Sequence, residues 1–264
     1  TANLIGKGQS ANLKPVFHRA PKPCLILMHD DDFFLPKGID YLNKTWADAQ
    51  GTIDACYGFQ AIYSNDGEID DEATGKNNHH YYRRTDNIGL QENSLWAALV
   101  GQFPNNGYMI RRSLALEVGY PSEEDVGHHP VDHHFGIRYA QASTRAFMLV
   151  DGIVSGYRRS TTSVARSSKS WLRPHQTDAH LNWETLTQTK VRNNKESDGL
   201  QLALGRIGRT AIESCIYRGK IRKAAQISRH PAVTWPQSHK DFIKAGIFLT
   251  FGTAARAAKR IFNR

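Results

Sequence analysis

A run of five apolar residues, 24–28, leads through His29 into three consecutive carboxylates, Asp30, Asp31 and Asp32. Such a run, bounded by turn residues, is typical of a short strand buried on both faces, as parallel strands usually are. In open α/β sheets, ligands bind outside the carboxyl ends of the strands. Adjacent carboxylates repel one another unless a cation or hydrogen-bond donors neutralise them. The pattern therefore predicts a ligand site at a strand end, with a solvated acidic turn as the alternative.

The hydrophobic pattern farther along the chain predicts alternating helices and strands. Helical spacing is found in 36–49, 93–100, 131–140, 200–217 and 220–227, and strand patterns in 53–63 and 146–154. The polar run 64–78 predicts a loop or hairpin tip, and the Ser, Thr and Arg composition of 158–170 predicts a mobile loop. Ser113 is predicted to cap a helix that ends at Gly119.

Length and cysteine usage limit the class of protein. A chain of 264 residues can bury one sizeable core and carry a small appendage. The three cysteines are widely spaced and fit neither a zinc site nor a disulfide framework, which favours a reducing compartment. No signal-peptide pattern and no apolar run of membrane-spanning length is present in the sequence. These features predict a cytoplasmic protein.

The positive charge is concentrated in the last quarter of the chain. Residues 1–203 hold 21 Lys and Arg against 23 Asp and Glu, whereas residues 204–264 hold 13 against 2. Apolar and basic residues interleave over 240–264, and a basic amphipathic helix of this kind can lie on an anionic membrane. The sequence thus predicts peripheral attachment at the inner face of the membrane, with a helix packed on the rest of the protein as the alternative.

Several motifs then follow in a recognisable order. Residues 29–36 read His-Asp-Asp-Asp-Phe-Phe-Leu-Pro, and an Asn-Asn-Gly loop at 105–107, Arg-Arg at 111–112, Gly-Tyr-Pro at 119–121 and a helix beginning near Asp132 come after them. This order resembles that of family 2 glycosyltransferases, which have the GT-A fold. The metal motif of that family reads Asp-x-Asp-Asp and then Pro after two or three residues. Asp31 and Asp32 match it, and His29 replaces its first Asp.

The resemblance implies a role for each of these positions. Asp31 and Asp32 would hold Mn²⁺ or Mg²⁺ on the diphosphate of a nucleotide-sugar donor, and Asp132 would be the general base that deprotonates the acceptor hydroxyl. The other residues implied in donor binding are His29, Asp30 and Arg158, with Arg159 as an alternative to Arg158. Asn105, Asn106 and Gly107 would line the donor or the acceptor pocket, with a simple turn as the alternative. Without the resemblance, Asp132 is interpreted as a first-turn acid that the helix dipole stabilises.

The resemblance covers residues 1 to about 165 and predicts an α/β fold. The expected structure is a partial GT-A (Rossmann-like) mixed sheet with flanking helices, followed by a C-terminal helical region. The predicted domains are a GT-A-like catalytic domain over 1–170 and a basic helical subdomain over 171–264. The two family strands that help to bind the nucleotide base have no counterpart here. The chain is therefore expected to be a fragment, to have a misplaced start, or to lack the base pocket.

The predicted function is a metal-dependent inverting glycosyltransferase acting on a saccharide or lipid-linked acceptor in cell-surface polysaccharide synthesis. One alternative is a non-catalytic module whose basic helices bind an anionic membrane or nucleic acid. Nucleic acid is disfavoured because no recognition module accompanies the charge. A metal-dependent phosphohydrolase is a further alternative. The histidines of 128–134 could form a separate metal site, but histidines at the surface or in the acceptor groove are preferred because neighbours on a helix diverge.

Overall fold

A computed structural model describes residues 8–122, 126, 131–159 and 178–234, without the side chains of residues 8–10. The strands of these ranges are β1 Cys24–Leu27, β2 Phe33–Phe34, β3 Ile53–Tyr63, β4 Gly89–Gln91, β5 Tyr108–Arg111 and β6 Ala146–Arg158. Their α-helices are α1 Gly8–Arg19, α2 Gly38–Asp48, α3 Asp71–His80, α4 Ser94–Leu99, α5 Arg112–Val118, α6 Val131–Ala142, α7 Ala179–Thr187, α8 Asn194–Tyr217 and α9 Ile221–Ser228. A mixed sheet with flanking helices, followed by a C-terminal helical region, confirms the predicted α/β class.

The sheet has the strand order β1-β5-β3-β6-β2, and β4 also pairs with β6. Its central strands β3 and β6 run parallel, and the other pairings are antiparallel. β3 is buried along nearly its whole length, so it occupies the environment that was predicted for 24–28. That prediction is wrong for β1, an edge strand paired only with β5, in which Leu25 and Leu27 are buried and Ile26 is 40% exposed.

Two other local predictions are wrong in part, for reasons visible in the hydrogen bonds. The start of the polar run 64–78 is a turn as predicted, in which the Ser64 N–H donates to the Glu68 carbonyl at 2.9 Å. Residues 71–78 instead belong to α3, because the Asp70 carboxylate accepts the Ala73 N–H at 2.8 Å and caps the helix. Asn78 on α3 then donates to the Gln60 carbonyl at 2.8 Å, which fastens the helix to β3. Ser113 lies inside α5, since β5 runs directly into this helix and Arg111 occupies the cap position.

The other predicted elements within the described ranges are confirmed, namely α2, α4, α6, α8, α9, β3 and β6, and α5 ends at Gly119 as expected. The predicted mobile loop from residue 160 onward, the basic amphipathic segment 240–264 and residues 128–130 lie outside the described ranges. No helix in the described part of the chain is both long and apolar enough to cross a bilayer. Cys24, Cys56 and Cys215 are unpaired.

The described residues form two hydrophobic clusters in the core. The smaller one includes Leu42 of α2 with Val150 and Val154 of β6. The larger one joins residues of the sheet, such as Tyr57, to residues of the C-terminal helices, such as Leu204. The C-terminal helices therefore extend the core of the sheet, while the division into domains at residue 170 stays a prediction.

Candidate functional site

Two strand pairings assemble the candidate site. β1 and β5 are antiparallel with Leu27 opposite Tyr108, so the segment after β1 lies beside the loop that precedes β5. The Gly107 N–H donates to the Leu27 carbonyl at 2.8 Å. β2 pairs with β6 near the end of that strand, which brings Asp32 close to Arg158. The start of α6 adds Asp132 from a third direction.

His29, Asp31 and Asp32 form the one group of potential metal ligands found among the described residues. Each offers one ligand atom, and these three atoms lie within 4.8 Å of one another. Two carboxylates and an imidazole are a donor set suited to Mn²⁺, and carboxylates suit Mg²⁺. Because Asp31 is exposed, rotation of its side chain can bring its oxygen into the contact of about 2 Å that such ions require.

Asp32 is the buried member of this group. One carboxylate oxygen accepts the Arg158 backbone N–H at 2.9 Å, and the other accepts the Asn106 side-chain amide. Burial and the charge of Asp31 raise the pKa of Asp32, although the Arg158 and Asn106 hydrogen bonds and the charge of His29 oppose this change. Two neighbouring carboxylates that resist being charged together are a site that a cation would stabilise.

His29 lies between the metal-ligand group and Asp132. Its Nδ1 is 4.0 Å from Asp32 Oδ2, and its Nε2 is 3.5 Å from Asp132 Oδ2. Burial alone would lower the pKa of His29, but the hydrogen bond to Asp132 and the charges of Asp132, Asp32 and Asp31 raise it overall. The imidazole thus links two carboxylate sites through its two ring nitrogens.

Asp132 is buried, with 8% of its surface exposed. Its Oδ1 accepts a hydrogen bond from the Tyr120 hydroxyl, and its Oδ2 faces His29. Tyr120 is itself packed between Phe17 and Phe135, at centroid distances of 6.1 and 5.0 Å. A carboxylate held in this way presents a fixed oxygen to any group that approaches beside His29.

Hydrogen bonds between buried amide side chains connect the candidate site to Arg83. Asn106 Nδ2 donates to Asp32 and lies 3.1 Å from His29 Nδ1, while its Oδ1 accepts from Gln60 Nε2 at 3.1 Å. Gln60 Oε1 accepts from Arg83 Nη1 at 2.7 Å. Burial lowers the pKa of Arg83 to about 10, so this guanidinium stays charged at neutral pH.

The remaining predicted residues differ in whether they contact the group of potential metal ligands. Gly107 adopts φ +73°, and a Cβ there would lie 2.4 Å from Ser155 Oγ, so the position needs glycine. Asp30 is exposed and does not belong to the metal-ligand group. The exposed Arg158 reaches Asp32 through its backbone, and its guanidinium lies over the Phe33 ring. The alternative, Arg159, pairs with Asp70 at 3.1 Å.

A cavity of about 570 Å³ opens beside His29. Its lining includes Asn105, Asn106, His133, Arg83 and Arg206. The next histidine, His134, is buried, and its Nε2 lies 2.9 Å from Asn182 Oδ1. Of the two locations preferred for these histidines, the surface is therefore wrong for His134, whereas the acceptor groove stays a prediction. In the described part of the chain these two histidines join no group of potential metal ligands.

Sequence reasoning missed Tyr120, Gln60, Arg83 and Arg206. Tyr120 belongs to the Gly-Tyr-Pro motif, which the resemblance includes without assigning it a role. Gln60 lies in a predicted strand, and one polar residue in an apolar strand signals a buried hydrogen bond. Arg83 follows two tyrosines and precedes a polar run, where nothing marks it as buried, and Arg206 is a half-buried residue whose helical position alone does not indicate a cavity.

No protein-family model matches the chain, and no curated protein matches it. Among solved structures it is similar to S. aureus TarS 1-349 in complex with UDP-GlcNAc, with 10% identity, a TM-score of 0.49 and coverage of 84% of this chain and 68% of that one. The complex of TarS 1-349 with UDP gives a TM-score of 0.48 with the same identity and coverage. The structure titled S. aureus TarS gives 0.46, and 41% of it is covered. Similarity at this level assigns no function.

Proposed function

We propose that this chain is a metal-dependent inverting glycosyltransferase. The observation that carries the proposal is the position of Asp132, a buried and oriented carboxylate, 3.5 Å from an imidazole that also belongs to a group of potential metal ligands. A sugar transfer by direct displacement needs these two functions next to each other: a cation that stabilises the leaving diphosphate and a base that activates the acceptor.

His29, Asp31 and Asp32 would hold the cation, and their chemistry fits Mn²⁺ or Mg²⁺. When bound, such an ion neutralises negative charge on the diphosphate of a nucleotide-sugar. The backbone N–H of Arg158 and the amide of Asn106 fix the carboxylate of Asp32 in place. Asp30 is proposed to lie along the donor, and Asn105 and Gly107 along the donor or the acceptor, as the family resemblance implies.

Asp132 would accept the proton of the acceptor hydroxyl. Tyr120 donates to Oδ1, and Oδ2, which faces His29, is the oxygen proposed to meet the acceptor. Direct attack by the activated hydroxyl on the anomeric carbon inverts the configuration there. A variant Tyr120→Phe would keep the ring packing and lose the orientation of the carboxylate.

The donor and acceptor classes belong to this proposal as well. The donor is a nucleotide-sugar, and UDP-sugars are the first to test because TarS binds UDP-GlcNAc and UDP. The acceptor is a saccharide or a lipid-linked saccharide of a cell-surface polysaccharide. Peripheral attachment at the inner face of the membrane through residues 240–264 is part of the same hypothesis.

A thermal-shift titration with UDP, UDP-GlcNAc, GDP and dTDP, each with and without Mn²⁺, tests the proposal. A ligand that binds only the folded state raises its stability, by about 2.7 kcal/mol at a concentration of 100 Kd. We expect a shift that needs both nucleotide and metal and that is lost in the double variant Asp31→Asn, Asp32→Asn. The exposed Asp66→Asn is the matched control and keeps the shift. A shift that the double variant retains, or no shift with any pair, contradicts the proposal.

A further inference from the structure

The cavity beside His29 has an unusual charge balance. Two arginines, Arg83 and Arg206, line it, and none of its described lining residues is Asp or Glu. Two further lining residues, His80 and His133, have their pKa values lowered by burial, so they are neutral at pH 7. The two guanidiniums therefore give the cavity wall a positive charge that no described lining residue balances.

Arg83 is a buried cation without an ion pair in the described part of the chain. It is 3% exposed, and its guanidinium donates to the Gln102 carbonyl at 2.9 Å, the Gln60 side chain at 2.7 Å and the Gly101 carbonyl at 3.1 Å. These bonds use three of the five N–H groups of a guanidinium. Buried charges are normally paired, and neutral acceptors alone leave the charge of Arg83 unbalanced.

Arg206 on α8 reaches the same cavity from the C-terminal helices. Its two terminal nitrogens donate to the Val100 and His80 carbonyls at 2.6 Å each, and its guanidinium lies 5.6 Å from the centre of the Tyr81 ring. The ion pairs of the described residues do not include it. The neutral acceptors hold the group in a fixed position while its charge stays available to a ligand.

We infer that this cavity binds the anionic group of the acceptor, a phosphate or another oxyanion attached to the molecule that carries the reacting hydroxyl. Guanidinium groups bind phosphate through paired, charge-assisted hydrogen bonds. The assignment to the acceptor rests on the proposed function. It follows from position, because the cavity is lined by His133, which follows Asp132, and by His29, whose Nε2 lies 3.5 Å from Asp132 Oδ2, whereas the carboxylates of Asp31 and Asp32 do not line it.

Calorimetric titration of the metal-free protein in EDTA tests this inference. The probes are glucose 6-phosphate and inorganic phosphate, with uncharged glucose for comparison. We expect glucose 6-phosphate to bind at least tenfold more tightly than glucose, and its affinity to fall as salt is raised. Arg206→Gln should weaken the binding of glucose 6-phosphate by about tenfold or more, because a charge-assisted hydrogen bond is lost.

Two comparisons make the result decisive. Arg209→Gln removes a guanidinium from the same helix, where it is paired with Glu213, and should leave the affinity unchanged. Arg206→Lys keeps the charge and should retain more affinity than Arg206→Gln. Circular dichroism confirms that each variant is folded. Equal affinity of wild type and Arg206→Gln for glucose 6-phosphate, or no preference for it over glucose, overturns the inference.

Binding of UDP with Mn²⁺ to the same variants separates acceptor from donor. Arg206→Gln should leave this binding intact, and an equal loss for UDP and glucose 6-phosphate would assign the arginines to the donor diphosphate and overturn the acceptor assignment. If no nucleotide binds but glucose 6-phosphate does so through Arg206, the anion site stands and the proposed glycosyltransferase activity fails. The two proposals can therefore fail separately.

Discussion

His29 is the residue through which pH acts on the candidate site. Its pKa is raised because the hydrogen bond to Asp132 and the charges of Asp132, Asp32 and Asp31 outweigh the effect of burial. The protonated imidazole therefore stabilises the folded state, and it does so fully below the unfolded pKa of about 6.5. This contribution is lost as pH rises through the higher pKa of the folded protein.

We therefore expect the stability difference between wild type and His29→Gln to be largest at pH 6 and to shrink as the pH rises above 6.5. Urea unfolding in EDTA across pH 6 to 9 measures it. His18→Gln, at an exposed position, serves as the comparison for the loss of a histidine outside the site. If the difference in unfolding free energy between wild type and His29→Gln is constant or grows with pH, Asp132 and Asp32 do not stabilise the imidazolium.

Tyr120 is the residue that tests the role of Asp132. In Tyr120→Phe the carboxylate loses the hydroxyl that orients it, while the aromatic ring still packs against Phe17 and Phe135. We expect transfer to slow by about tenfold or more, in line with the contribution of a positioned general base. The affinity for UDP with Mn²⁺ should not change, since the Tyr120 hydroxyl donates to Asp132, which does not belong to the group of potential metal ligands. A transfer rate equal to that of wild type would contradict the role given to Asp132.

At the scale of elements, the turn before β5 depends on a glycine that has no room for a side chain. Gly107 has φ +73°, and its Cβ would overlap Ser155. We expect Gly107→Ala to cost roughly 1–3 kcal/mol for the backbone alone, and more for the contact. The change would also displace Asn106 and weaken Mn²⁺ binding.

Gly67→Ala is the matched control for this prediction. Gly67 has φ +85° but no heavy atom within 4 Å of an added Cβ, so it reports the backbone cost without the contact. Denaturant unfolding of both variants gives the difference between their free energies of unfolding. If Gly107→Ala is no more destabilising than Gly67→Ala, the packing of the turn against Ser155 is looser than described.

The hydrophobic pattern of the sequence predicted some helices and strands and not others. β3 and β6 were predictable because long alternating or apolar runs leave little choice of structure. β1 was assigned the wrong environment because a four-residue run looks alike at an edge and at a centre. The start of α3 was missed because its weakly apolar sequence has no helical stripe, and the cap at Asp70 alone marks it.

The residues of the candidate site also differ in whether the sequence could predict them. Asp31, Asp32 and Asp132 were recognisable because each stands in a motif. Gln60 and Arg83 were not recognisable, because they reach the site through hydrogen bonds between residues far apart in sequence. Gln60 donates to Asn106, 46 residues away, and Asn106 donates to Asp32, 74 residues away. Such pairs are created by the sheet, and no local pattern records them.

At the scale of the whole molecule, the larger hydrophobic cluster includes both the sheet and the C-terminal helices. We expect one cooperative unfolding transition for these parts, because neither can lose its shared contacts alone. Leu204→Ala, at a position only 2% exposed, should cost about 2–5 kcal/mol and lower hydrogen-exchange protection in β3 and α8 together.

Leu90→Ala is the comparison, since Leu90 is 55% exposed and its truncation should change stability by no more than about 0.5 kcal/mol. Loss of protection in α8 alone after Leu204→Ala would instead support two units that unfold independently. That outcome would favour the predicted domain boundary at residue 170.

The amide chain from Arg83 to His29 has a direction. A guanidinium can only donate, so Gln60 must present its oxygen to Arg83 and its nitrogen to Asn106, and Asn106 must in turn present its nitrogen to His29 Nδ1. A neutral imidazole that accepts at Nδ1 carries its hydrogen on Nε2, the atom that faces Asp132. A buried arginine two side chains away thereby selects the tautomer of His29.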